Sequence, residues 1–152
     1  MALIKKGGPG FIVDDLVAPP GLAGLPASAE ASLEEARHFL AAATALLQLH
    51  AGNRKKDHGK ARLRAAADLG WLAALRLCGV VLLRHGRVPG GHVKDVGDAF
   101  IQARTSEEKA VAQSAKDALN ALHVQAFYYG DGERRGVERR LDALKRVAER
   151  LA

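Results

Sequence analysis

The sequence predicts an all-α protein, an up-and-down bundle of four to five helices preceded by an irregular N-terminal arm. From Ser32 onward, apolar residues recur at spacings of three and four, which is the period of an amphipathic helix. Four of the five prolines lie in residues 1–26, which marks that segment as non-helical. The connections between the long periodic segments are short, which favours antiparallel neighbours. We therefore expect a Gly/Pro-rich extended arm at 1–31 and a helical bundle at 32–152.

Length and composition set broad limits on the function. The 152 residues are about one domain and can bury a core without disulfides or metals. Lys and Arg number 23 against 17 Asp and Glu, so the net charge of +6 permits anionic partners without specifying one. Cys78 is the only cysteine and lies in an apolar run, so we expect a buried thiol and no disulfide framework.

The N-terminal apolar segments are interrupted by Lys5, Lys6 and Pro9, so we expect no signal-peptide core. The longest apolar stretch, 69–83, is interrupted by Arg76 and is shorter than a span across a bilayer core of about 30 Å. The sequence therefore predicts a cytoplasmic protein with no membrane contact.

Five helices are predicted in order. Ser32 and Glu35 have capping-box spacing for helix one, which ends at Gly52. Helix two covers 60–84 and has small residues in the middle of its apolar stripe, where another helix can approach closely. Helix three covers 93–104, with Val96, Phe100 and Ile101 facing inward. Thr105 and Glu108 have capping-box spacing for helix four, which runs to Tyr129. Helix five covers 133–151 with an apolar seam: Val137, Leu141, Leu144, Ala148 and Leu151.

Helix four carries the strongest candidate for a site. At about 100° per residue, Lys116, Asn120, His123 and Phe127 lie within about 60° of one another, beside the apolar face. They offer a cation for phosphate, an amide, an imidazole that exchanges protons near neutral pH, and a ring that can stack on a base. In the structural alternative, His123 covers the edge of the core and the aromatic residues fill the end of the bundle.

The segment "ALNALHVQAFYYGD" and the helix order around it resemble the HEPN superfamily of small prokaryotic helical bundles, in particular an uncharacterised branch with a similar Leu-His and Tyr-Tyr-Gly pattern. The resemblance covers roughly 32–151 and leaves the arm outside. It implies a homodimer. In its active members it also implies a metal-independent endoribonuclease, with an arginine preceding the histidine on this helix.

In this sequence Lys116 stands where the resemblance implies an arginine, in "KDALNALH". Lysine offers a point charge instead of a two-pronged fork, which weakens stabilisation of a scissile phosphate. A ribonuclease would use His123 as general acid or base and Lys116 as the phosphate partner, with Asn120 beside them. The similar spacing of Arg87 and His92 falls in a Pro-Gly loop and is a weaker candidate.

The sequence gives little support for a metal centre or a nucleotide-binding site. Glu35 and His38 have the Glu-x-x-His spacing of di-iron bundles, but no other histidine has a glutamate three residues before it, so we expect no metal centre. No phosphate-binding loop is present, and we expect no cofactor.

Two basic clusters remain. The denser one lies in "NRKKDHGKARLR" and predicts a nucleic-acid contact through Arg54, Lys55, Lys56, Lys60, Arg62 and Arg64. The second, "ERRGVERR", is typical of a solvated helix face.

We therefore expect a small HEPN-like interaction module, homodimeric, that binds RNA or another anionic partner through the basic cluster. The first alternative is the His-centred endoribonuclease. The second is a tethering protein whose arm docks on a larger assembly through Phe11, Ile12, Val13 and Leu16. The same apolar run could instead pack on its own bundle or on a dimer mate.

Overall fold

The computed structural model describes residues 24–52, 56–129 and 133–152. These residues form helices without a strand, which confirms the all-α class. The α-helices are α1 (Ala29–Gly52), α2 (Lys56–Arg84), α3 (Lys94–Gln102), α4 (Ser106–Ala118) and α5 (Arg134–Leu151). An 11-residue π-helix, Leu119–Tyr129, follows α4 directly and is called the π segment below. We had expected one continuous α-helix here.

The central element of the bundle is α2. It contacts α1 most extensively and also contacts α3, α4, the π segment and α5. Its segment Gly59–Arg84 is long and apolar enough to span a membrane by length and composition, contrary to our expectation from the shorter run. However, 78% of its most apolar window is buried inside the bundle, as expected of a core helix. Cys78 is fully buried within it, which confirms that prediction, and burial raises the pKa of its thiol.

The start of α1 differs from the sequence prediction. The helix begins three residues before Ser32, and the Ser28 hydroxyl accepts a hydrogen bond from the Ala31 amide at 3.1 Å, which is the contact of an N-cap. Ser32 is buried, and its hydroxyl donates to the carbonyl oxygen of Arg76 at 2.6 Å. The capping box predicted at Ser32 and Glu35 is therefore wrong, because both side chains face α2.

Glu35 and Arg76 join α1 to α2. The Arg76 guanidinium donates to the Glu35 carboxylate at 2.8 Å and lies 5.8 Å from the centre of the Phe39 ring. Arg76 is only 5% exposed, so the charge that interrupts the apolar run of α2 is paired inside the α1–α2 interface.

The orientation of α3 corrects a second prediction. Asp95, Val96 and Ala99 are buried, as expected for Val96. Phe100 and Ile101, predicted to face inward, are 42% and 70% exposed. The reason is the short length of α3, which contacts only α2 and α4 among the described elements and so has one covered face.

The capping box at the start of α4 is confirmed. The Thr105 hydroxyl accepts from the Glu108 amide at 3.1 Å, and the Glu108 carboxylate accepts from the Thr105 amide. Glu108 is buried and also contacts His85 at 3.0 Å, so this carboxylate connects the start of α4 to the end of α2.

The close approach predicted for the small residues of α2 is found at Gly70. A Cβ atom placed there would lie 2.6 Å from a methyl carbon of Leu141 and 2.8 Å from one of Leu122, so α2 meets α5 and the π segment at this point. The whole apolar seam of α5 is buried within one chain. Because the seam is already covered, it gives no support for a dimer.

Candidate functional site

The candidate site centres on His123, which the π segment holds against α2. The imidazole stacks on the indole of Trp71, with ring centres 4.9 Å apart and an angle of 22° between the planes. Trp71 is buried, whereas His123 is half-buried and reaches the surface. The position of His123 at the margin of the core, expected in both alternatives of the sequence analysis, is therefore observed.

Asp68, one helical turn before Trp71, belongs to the same site. Burial raises the pKa of this carboxyl group, while the nearby His123 imidazole shifts the pKa in the opposite direction. A partly desolvated carboxylate within electrostatic range of a histidine is a feature of sites that move protons, although structural pairs also show it. Chemically, a carboxylate at this range can attract and orient the imidazole of His123.

Two exposed cations extend this site along α2. Lys60 and Arg64 precede Asp68 by two turns and one turn. At about 100° per residue, all three lie within about 80° of one another, and Trp71 falls inside the same arc. Lys60 and Arg64 are both exposed. One side of α2 therefore carries positive charge at the surface and leads to Asp68 and Trp71, beside His123.

The other members of the predicted stripe, Lys116, Asn120 and Phe127, lie on α4 and in the π segment. Lys116 is exposed near the end of α4, and Asn120 is exposed in the π segment. Phe127 also belongs to the π segment. The π segment has hydrogen bonds from residue i to i+5, so the register reckoned at 100° per residue does not hold after Ala118. His123 therefore lies close to Trp71 and Asp68 of α2, and the four predicted residues do not form one straight stripe.

The predicted basic cluster divides into parts with different surroundings. Arg62 donates to the carbonyl oxygen of Leu49 at 3.2 Å, so its guanidinium covers the end of α1. Lys56 begins α2, while Arg54 and Lys55 lie outside the described residues. Lys60 and Arg64 are therefore the described members whose exposure suits them to bind phosphate.

A groove of about 480 Å³ lies between α1 and α5 and is separate from this site. Leu40, Ala45 and Ala148 contribute apolar surface, and Arg37, Lys145 and Glu149 contribute charges of both signs. The mixture favours no single class of ligand.

The remaining predictions concern other parts of the chain than the site around His123. Arg87 and His92 lie exposed in the loop between α2 and α3, apart from His123. Within residues 24–52, 56–129 and 133–152, no group of three His, Cys, Asp or Glu side chains could hold a metal ion. Phe11, Ile12, Val13 and Leu16 lie outside the described residues.

The residue that sequence reasoning missed is Asp68. Its signal was available, because this carboxylate follows Arg64 by four residues and precedes Trp71 by three, on the side of α2 that carries the basic residues. Comparison with protein families, with curated proteins and with solved structures found no match to this chain.

Proposed function

We propose that this chain is a small HEPN-like RNA-binding module, acting as a homodimer, whose contact surface runs from the start of α2 to His123. The observation that carries the proposal is the arrangement of Lys60, Arg64 and Asp68 on one side of α2, ending where Trp71 stacks on His123. The HEPN-like identity and the dimer come from the sequence resemblance.

The two exposed cations suit a phosphate backbone. Each phosphate contact releases bound counterions, so affinity falls as the salt concentration rises. The acidic Asp68 lies in the same arc, but it is only partly exposed, and burial raises the pKa of its carboxyl group. RNA is proposed as the ligand because the superfamily that the sequence resembles includes ribonucleases.

The proposal is tested with a double variant, Lys60→Gln with Arg64→Gln, and a matched control, Arg87→Gln with Lys94→Gln. Both pairs are exposed and both variants lose the same charge, but the control pair lies at the other end of α2. Binding to a fluorescent single-stranded RNA is measured between about 50 and 200 mM salt. We expect the first variant to weaken binding by about tenfold and to lower the salt slope by about 1.5, while the control stays near wild type.

Equal weakening in both variants would mean that net charge alone attracts the RNA. No binding by the wild type at low salt would remove the proposal. The dimer is tested separately by light scattering, where a monomer at micromolar concentration would contradict it.

A second candidate function, metal-independent endoribonuclease, is favoured by the position of Asp68 within electrostatic range of the half-buried His123. In this role His123 would exchange protons with the RNA 2′-hydroxyl or the leaving oxygen, and Asp68 would position the imidazole. Lys116 is exposed on the neighbouring α4 and is the proposed electrostatic partner for the phosphate. Asn120 is the proposed hydrogen-bonding group on the exposed side of the π segment.

Cleavage of RNA in the presence of a chelator is compared for wild type, His123→Ala and the control His38→Ala, which removes an exposed histidine from α1. We expect His123→Ala to abolish cleavage and His38→Ala to retain it. Background cleavage of equal extent in all three would exclude the enzyme and leave the RNA-binding module unaffected.

A further inference from the structure

The exposed apolar side chains of the described chain are concentrated at one end of the bundle. Among residues 24–52, 56–129 and 133–152, the large hydrophobic residues that are exposed are Leu25, Leu49, Val88, Val93, Phe100 and Ile101. All of these except Leu49 belong to α3, to the loop before it, or to the chain just before α1. Such clustering differs from the scattered single hydrophobic residues of an ordinary surface.

Four residues of this region form one face of a helix. Val93, the N-cap of α3, has helical backbone angles, so the helical register can be extended to it. At about 100° per residue, Val93, Gly97, Phe100 and Ile101 fall within an arc of about 100°. The buried residues of α3 occupy the opposite side. We call these four residues the α3 outer face.

The α3 outer face is suited to receive another segment of chain. A Cβ atom placed at Gly97 would meet no heavy atom within 4 Å, so the face is open at its middle. Val93 is 52% exposed and Ile101 is 70% exposed, so large apolar areas lie on either side of that opening. Lys94 and Arg104, both exposed, place positive charge at its two ends.

The chain itself enters the described structure beside this face. Leu25 lies against Gly91, where an added Cβ would be 2.8 Å from a Leu25 methyl carbon. Gly91 is two residues before Val93. The segment preceding Gly24 therefore leaves the bundle next to the α3 outer face, whichever way it continues.

We propose that the N-terminal arm of the same chain covers the α3 outer face with Phe11, Ile12, Val13 and Leu16. Leu25 is thirteen positions after Ile12, so the chain between them can span up to about 43 Å when extended. The α3 helix has nine residues and is about 14 Å long. The run "FIVDDL" supplies apolar side chains for the face and two carboxylates, Asp14 and Asp15, for the charges of Lys94 and Arg104. The arm thus offers apolar side chains and negative charge, which complement the apolar residues and the positive charges of the α3 outer face.

Disulfide trapping tests the proposal. Phe11, Ile12 and Val13 are replaced by Cys one at a time, each in combination with Ile101→Cys or with the control Leu49→Cys. Leu49 is exposed and lies near the far end of α1, about 30 Å along the helix from Ala29, which is less than the reach of the arm. The native Cys78 is buried and does not compete.

Under mild oxidation, we expect at least one arm position to form an intramolecular disulfide with Ile101→Cys about tenfold faster than with Leu49→Cys. Mass spectrometry and non-reducing electrophoresis identify the product. Equal rates, or no disulfide at any of the three arm positions, would overturn the proposal. Disulfides formed between chains, detected by mixing the singly substituted proteins, would overturn it in favour of a second copy.

Discussion

Inside the α1–α2 interface, the guanidinium of Arg76 lies between the carboxylate of Glu35 and the ring of Phe39. The pair contributes little if both members are replaced together, because the attraction offsets the cost of removing two charges from water. Loss of one member is different, since the remaining charge stays buried without compensation. The Ser32 hydroxyl adds a hydrogen bond to the backbone at the same point.

We therefore expect Glu35→Ala to lower the free energy of unfolding by about 3 kcal/mol, measured by urea denaturation. Asp117→Ala is the control, because the side chains of the Asp117–Arg140 pair, 3.5 Å apart, are 38% and 43% exposed. The control should lose less than about 1 kcal/mol. Similar losses in the two variants would show that burial of Arg76 does not set the effect.

Glu108 gives a second prediction at this scale. Burial by itself raises the pKa of Glu108, but hydrogen bonds from the Arg104 amide and from His85 outweigh it, so the pKa lies below its ordinary value of 4.5. A carboxyl group with a lowered folded-state pKa stabilises the protein above its unfolded-state pKa, and this contribution is lost as the pH falls through the folded-state pKa.

Glu108→Gln should therefore be less stable than wild type near neutral pH. The difference in the free energy of unfolding should shrink as the pH is lowered from about 6 to about 3. Denaturation of both proteins across this range checks the prediction. A difference that stays constant with pH would mean that packing of the side chain, and not its charge, is responsible. The exposed Glu149→Gln serves as the control, with no expected change.

At the scale of helices, the sequence predicted the positions of the helices more accurately than their first residues or the sides that face the core. Thr105 was identified as a cap because its partner Glu108 also belongs to the pattern. Ser32 has the same spacing to Glu35, yet it lies inside α1, since Ser28 caps the helix one turn earlier. Local spacing alone does not decide between two hydroxyl residues one turn apart.

The π-helical hydrogen bonding of the π segment and the orientation of α3 were not predictable from the sequence. A π-helix differs from an α-helix in its hydrogen bonds and not in its residue types, so Leu119–Tyr129 has no separate signal in an apolar pattern. Which side of α3 is covered depends on where its two neighbours lie, which the residues at Phe100 and Ile101 do not encode. For the candidate site, the position of His123 at the edge of the core was predictable, but its proximity to Asp68 depends on how the π segment packs against α2.

The close contact at Gly70 predicts a destabilising substitution. Gly70→Ala places a methyl group within 3 Å of side-chain carbons of Leu141 and Leu122, and we expect a loss of about 1–3 kcal/mol in the free energy of unfolding. Gly136→Ala on α5 is the control, because an added Cβ there meets no atom within 4 Å. That substitution should stabilise the protein by about 0.5–1 kcal/mol. Urea denaturation compares the two, and stabilisation by both would contradict the close approach.

For the whole molecule, the contacts of α2 with every other described helix predict a single cooperative unit. Trp71, the only tryptophan, reports on the meeting of α2 with the π segment. We expect unfolding curves from tryptophan fluorescence and from far-ultraviolet circular dichroism to coincide. If fluorescence changes at a lower denaturant concentration, the π segment separates before the rest and the bundle is not one cooperative unit.

The central position of α2 also bears on how the protein is made. Among the described helices, α1 alone precedes α2 in the chain, so α3, α4, the π segment and α5 are not yet synthesised when α2 emerges from the ribosome. The nascent chain at that moment presents a helix apolar enough for a bilayer, covered on one side only. Until α5 is complete, apolar surface of α2 therefore stays uncovered in the nascent chain, and such surface favours aggregation unless a chaperone covers it.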